Sequence, residues 1–144
     1  MTLLAIAIVC AGLFSGAALY LNLVEHPARM ACGPELAVLE FAPSYKRATL
    51  LQVPLALVGS LAGGLEAWRQ ANTRLLVASL LLVAVVPFTL VVILPTNHRL
   101  LDPSLDARSS EAVALLMRWG RLHAVRTLLS FLAFLVFLWQ LAHG

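Results

Sequence analysis

The sequence predicts an all-α fold: an integral membrane four-helix bundle with two short amphipathic helices capping one end. Three observations predict it. Hydrophobic residues make up 61% of the 144, against about 45–50% in an ordinary globular protein. Only 12% are charged, too few to cover a soluble domain of this length, so the solvent must be lipid. Four apolar stretches each approach the ~20 residues that a helix needs to cross a hydrocarbon core. None alternates with period two, which excludes a transmembrane barrel. In lipid the backbone must then bond within helices. Length argues for one domain, 1–144.

The first stretch, 3–24, is preceded by no basic flank of the kind that marks a cleavable signal, and it reads as a retained membrane helix. Gly12 and Gly16 give it a small-xxx-small stripe suited to close helix packing. Asn22 and His26 prolong that stripe, and Pro27 favours an end to the helix. "GPELAVLEF" follows, with Pro34 placed for a helical first turn, and predicts a short helix lying on the membrane. The second stretch is 49–68, with Gly59 and Gly63 read as packing residues. The turn "EAWRQANTR" leads into the third, 74–94, which "PTN" terminates. "SSEAVALLMRW" offers Ser109 or Ser110 as a cap and Glu111 in the first turn, so it predicts an amphipathic helix that bends at Gly120 into the fourth stretch, 120–141. Trp119 and Trp139 lie about 30 Å apart along a helix and are expected as interfacial anchors.

Charge sets the orientation. The turn after the second stretch carries Arg69 and Arg74, whereas the other membrane face holds eight of the ten Lys and Arg residues. That face is expected to be cytoplasmic, with both termini opposite, in a multi-pass protein of a bacterial inner membrane. A net charge of +3 with no basic-aromatic stripe argues against nucleic acid. Cys10 and Cys32 form no CxxC pair, and no disulfide is expected.

Three polar clusters interrupt the apolar sequence: "YLNLVEHPAR", "LPTNHRL" and "WGRLHAVR". Threading four spans brings all three to one membrane face. Trp119, His123 and Arg126 share a helix face at i, i+4 and i+7. Arg126 is expected about 10 Å below the interface, where a guanidinium needs a carboxylate, a carbonyl or an anionic ligand. Glu25 is the nearest carboxylate by topology. His123 titrates near neutrality as a residue type, Asn97 offers both donors and an acceptor, and Gln52, one turn into the second span, completes the polar lining.

These residues resemble a known family. "GLFSGAALYLNLVEHPAR", "FTLVVILPTNHRLLD" and "WGRLHAVRTLLSFLAFLVFL" look like the anthrone-oxygenase-like family of small four-helix membrane proteins, over nearly the whole chain. The resemblance implies a cofactor-independent monooxygenase that converts anthrones to anthraquinones with dioxygen. It carries over Asn22, Glu25, His26, Pro95, Thr96, Asn97, Trp119, His123 and Arg126. The candidate catalytic residues are His123, Arg126, His26 and Asn97. Asn22, Glu25, Thr96, Trp119 and Gln52 are candidate substrate-binding residues. Such chemistry requires a general base, donors or a cation for an enolate oxygen, and a dry chamber. The expected partners are membrane lipid, a hydrophobic small molecule and dioxygen, with no cofactor; oligomeric state is open.

Two other readings stand beside this one. His26 and His123 could ligate a haem, or with Glu25 hold copper or iron. Alternatively the polar cluster locks the bundle of a non-catalytic transport or assembly subunit.

Overall fold

In a computed structural model that describes residues 2–144, the chain reverses direction three times, and each reversal has a local cause. Gly33 takes φ +94°, where a Cβ would be strained, and Pro34 then opens the next helix in its first turn. Ala71 closes that helix in the left-handed region, and the Asn72 side chain accepts from the backbone N–H groups of Arg74 and Leu75 at 3.0 and 3.3 Å. In the third, Ser109 caps the last helix by accepting from Ala112 N at 3.1 Å, and Arg99 ties the loop's two ends through Asp102 and Glu111. The Ser104 backbone N–H, 2.8 Å from Asp102, holds that carboxyl below the usual carboxylate range.

Four helices result: α1 (Thr2–Ala31), α2 (Pro34–Gln70), α3 (Thr73–Leu100) and α4 (Ser110–His143). All four are long and apolar enough to cross a membrane. Each packs on two neighbours, α1 on α2 and α4, and α3 on the same two. The protein is an all-α membrane bundle. Its outward face carries side chains such as Leu61, 65% exposed, and Val91, 74% exposed, which only lipid would solvate well. At the end nearer the α2–α3 turn the core is made of small residues, Ala7, Ala11, Ala56, Ala62, Ala78 and Ala133, filled by Phe14, Leu75, Leu82 and Phe137. Gly59 belongs to this close packing, because a Cβ there would lie 2.7 Å from Cys10 Cβ. Cys10 is buried and Cys32 exposed, and both are free.

The two amphipathic segments do cover one end, but not as separate helices. Residues 34–42 form the first turns of α2, and residues 110–119 the first turns of α4. Their apolar side chains, Ala37, Phe41, Ala112 and Leu116, join Ile93, Leu100, Leu105 and Trp119 in a second core cluster. The buried positions of α4 run through 112, 116, 119, 123, 130, 133, 137 and 140 without a phase change, so one continuous helix buries them all. Gly120 therefore does not bend the chain. It makes room: a Cβ there would sit 2.7 Å from His26 Nε2. Trp119 is 5% exposed and is a core residue, not an interfacial anchor.

Two helices also run further than expected. α1 continues through Pro27 and α3 through Pro95, each after one widened π-helical stretch, at Leu21–Glu25 and Thr89–Ile93. Each proline stands two residues beyond such a stretch. A proline ring clashes with the carbonyl four residues before it, here Leu23 and Val91, and both carbonyls lie inside the widened turns. Widening relieves the clash and lets the helix proceed. Both π-helical stretches lie at the same end of the bundle.

Candidate functional site

That end contains a cavity of about 110 Å³. All four helices line it: Leu21 and Arg29 from α1, Tyr45 and Gln52 from α2, Thr89 and Asn97 from α3, and Trp119, His123 and Arg126 from α4. Most of the remaining wall is apolar, including Phe14, Phe41, Val85 and Leu94.

His123 is 1% exposed, and its orientation is fixed by Asn22. The Asn22 amide nitrogen donates to the Gly120 carbonyl at 3.0 Å, so its oxygen must face the other way, toward Thr127 Oγ1 at 2.5 Å and His123 Nδ1 at 2.8 Å. A reversed amide would set two oxygens against each other at Gly120. His123 Nδ1 therefore carries a proton and donates it to Asn22, and Nε2 has no hydrogen-bond partner on the protein among the described residues; in the neutral ring the free lone pair is then on Nε2. Asn22 thus joins α1 to α4 and sets the tautomer of a cavity-lining imidazole.

Arg126 donates to Gln52 Oε1 at 2.8 Å, and its guanidinium carbon stands 5.4 Å from the Phe14 ring centre. Its Nε is buried with no partner, and among the described residues it forms no ion pair. The expected partner, Glu25, is already occupied. Glu25 pairs with Arg29 one turn away, and accepts from Ser44 Oγ at 2.7 Å. Arg29 Nε in turn meets Glu40 at 2.7 Å. The helical i, i+4 spacing of Glu25 and Arg29 closes that pair locally, before any residue of α4 can compete. Arg29, with a side chain 3% exposed and its guanidinium 5.7 Å from the Trp119 ring, is the buried cation whose charge is balanced. Arg126 is the one that is not.

Of the sequence-predicted residues, Gln52, Asn97, Trp119, His123 and Arg126 line the cavity, whereas Asn22, Glu25, His26 and Thr96 do not. Asn97 is 1% exposed, and its amide oxygen makes no hydrogen bond. Thr96 is buried beside it, and His98 is exposed. His26 packs behind the wall, its ring centre 5.2 Å from that of Trp119, whose other neighbour His123 stands at 4.7 Å. Phe41 meets the same indole edge-on at 5.5 Å. The indole is thus wedged among three rings and held rigid. Among the described residues, no three His, Cys, Asp or Glu side chains converge as a metal-binding group. Glu40, Ser44 and Tyr45 also stand at or beside the site and carry no signal in the sequence, whereas Arg29 lies in the polar cluster "YLNLVEHPAR". Its i, i+4 spacing from Glu25 in "EHPAR" is the signal for the pair they form.

Chemically, the site offers an imidazole with one nitrogen unpartnered on the protein, a guanidinium with no ion-pair partner among the described residues, and an amide, all around a small apolar space. A family model described as anthrone oxygenase matches residues 41–136, two thirds of the chain. The matched stretch contains Gln52, Asn97, Trp119, His123 and Arg126, and begins after Asn22, Glu25, His26 and Arg29. No curated protein and no solved structure matches the chain.

Proposed function

The chain belongs to the anthrone oxygenase family, and from that premise we propose that it oxygenates a lipophilic anthrone-like ketone with dioxygen, using its own side chains and no cofactor. One observation carries the reading: Arg126 faces the cavity with no counter-charge, next to a histidine whose free nitrogen faces no protein partner. A cation left unbalanced in an apolar wall is costly in a resting protein. It is useful where negative charge develops during a reaction.

In the proposed reaction, His123 Nε2 removes a proton from the ring methylene of the ketone. The electron pair moves onto the carbonyl oxygen, which Arg126 and the Asn97 amide hold. Asn22 keeps the resulting imidazolium oriented through Nδ1–H. The electron-rich enolate then reacts with dioxygen. Overall the methylene loses two hydrogens and gains one oxygen atom, while the second oxygen atom leaves as water, so no external reductant is needed. The apolar wall excludes water that would quench the carbanion. Trp119 supplies a flat, immobile surface for a ring.

The direct test is turnover of anthrone by purified protein under ¹⁸O₂. One labelled oxygen atom is expected in each quinone and the other in water. Label-free quinone, or no oxygen uptake above the buffer rate, contradicts the proposal.

The reading includes an orientation. Arg29 and Arg126 face inward, which leaves six of the eight basic residues at the site end to vote against two at the other. That excess supports a cytoplasmic site. Cys32 lies at the same end and is exposed. An impermeant thiol reagent added to intact cells is expected to leave it unmodified until the membrane is opened; labelling in intact cells reverses the orientation.

A further inference from the structure

A groove of about 580 Å³ runs between α1 and α2 and borders the outer surface of the bundle, where Tyr20 and Leu51 are each 55% exposed. Ala17, Leu21 and Glu25 line it from α1, and Glu40, Ser44, Arg47, Ala48 and Leu51 from α2. Each set recurs at helical spacing and so forms one face of its helix. Both walls change polarity in the same direction. Ala17, Ala48 and Leu51 lie toward the bilayer centre, and Glu25 and Glu40 toward the headgroups. The charges do not cancel within the wall. Glu25 and Glu40 both pair with Arg29, which leaves one negative charge in excess. Glu40 presents it to the groove with a side chain 39% exposed, whereas that of Arg29 is 3% exposed. Arg47 is exposed on the same wall and makes no ion pair among the described residues.

We propose that this groove binds one membrane phospholipid whose headgroup carries a primary ammonium beyond its phosphate. An acyl chain lies against Ala17, Ala48 and Leu51, the phosphate meets Arg47, and the ammonium meets Glu40. The order of groups decides the class of lipid. From the bilayer outward, the α2 wall presents apolar side chains, a cation, a hydroxyl and a carboxylate. Acyl chain, phosphate and ammonium follow one another in the same order. Arg47 and Glu40 stand seven residues apart, about 10 Å along the helix, and the arginine shortens that span by reaching toward the headgroups. A lipid with a phosphate and no amine places its negative charge beside an unmatched carboxylate. A quaternary ammonium neutralises Glu40 but has no hydrogen to donate to it. The inference needs neither a passage to the cavity nor any chemistry at His123.

The test mixes protein purified in an uncharged detergent with phosphatidylethanolamine, phosphatidylcholine or phosphatidylglycerol of equal chain length, and counts bound lipid by native mass spectrometry. Phosphatidylethanolamine is expected to be retained about tenfold over the other two, the effect of one charge-assisted hydrogen bond. Glu40→Gln is expected to bring it down to the level of phosphatidylcholine, while Arg29 keeps Glu25 as its partner. Arg47→Gln is expected to weaken all three lipids by a similar factor, because they share the phosphate. Both substitutions lie at the groove's polar rim, and unchanged melting temperatures check that the bundle is intact. Equal retention of the three lipids, stronger retention of phosphatidylglycerol, or a phosphatidylethanolamine preference that survives Glu40→Gln overturns the inference. Binding undiminished in Ala17→Trp, which fills the place of the acyl chain, overturns it as well by putting the lipid elsewhere.

Discussion

His123→Ala is expected to lower kcat for quinone formation by about 10²–10⁴-fold, the usual cost of losing a general base. The argument is geometric. Asn22 takes the Nδ1 proton at 2.8 Å, and the Asn22 amide is itself locked by Gly120, so the free lone pair can only be on Nε2. The scaffold around it survives the substitution, because Thr127 and Gly120 still satisfy Asn22. Removing the ring leaves a void beside Trp119, and the variant is expected to lose stability by about 2–4 kcal/mol. Added imidazole separates the two effects. If the side chain is the base, free imidazole entering the void restores part of kcat. If the side chain only packs against Trp119, imidazole restores melting temperature and no turnover.

Arg126→Met carries the second large effect, and its sign differs between the two measurements. Turnover is expected to fall by about 10²–10³-fold, as when a donor to a developing oxyanion is removed, or roughly 2.7–4 kcal/mol of transition-state stabilisation. Stability is expected to rise by about 1–3 kcal/mol, because a shorter, uncharged thioether replaces a guanidinium whose Nε is buried without a partner. Gln52 loses a donor, which offsets part of that gain. A purely structural Arg126 predicts the reverse pattern: lower melting temperature and, in a protein that still folds, unchanged turnover. The opposed signs make this variant more informative than His123→Ala about whether the cavity is built for chemistry.

Much of this architecture is legible in the sequence because it follows from simple periodicities. Four apolar runs of bilayer length, threaded back and forth across the membrane, force Asn22, Asn97 and His123 to one end. The helical spacing of Trp119, His123 and Arg126 places them on one face. What the sequence hides is competition between partners. Glu25 looks like the counter-ion of Arg126 because both are charged and share a membrane face, yet Arg29 is one helical turn from Glu25 and takes it first. Trp119 looks like an interfacial anchor from its 20-residue spacing to Trp139, and only the tertiary contacts with Phe41 and His26 show that it is buried. Gly120 invites a bend, yet its missing side chain accommodates an imidazole from another helix. Similarly, Pro27 and Pro95 read as helix stops, and a widened turn absorbs each of them. The cavity itself has no sequence signature, since its wall is assembled from all four helices.

The central claim is that the protein itself ionises its substrate, with His123 taking the proton and Arg126 holding the enolate oxygen. Mixing anthrone with the purified protein under strict exclusion of oxygen tests it most directly, because ionisation is then separated from oxygenation. The expected result is the absorption band of the anthrone enolate, growing to a stable level with the wild-type protein, absent with His123→Ala, and discharged to quinone when oxygen is admitted. A wild-type protein that binds anthrone and shows no enolate band contradicts the account.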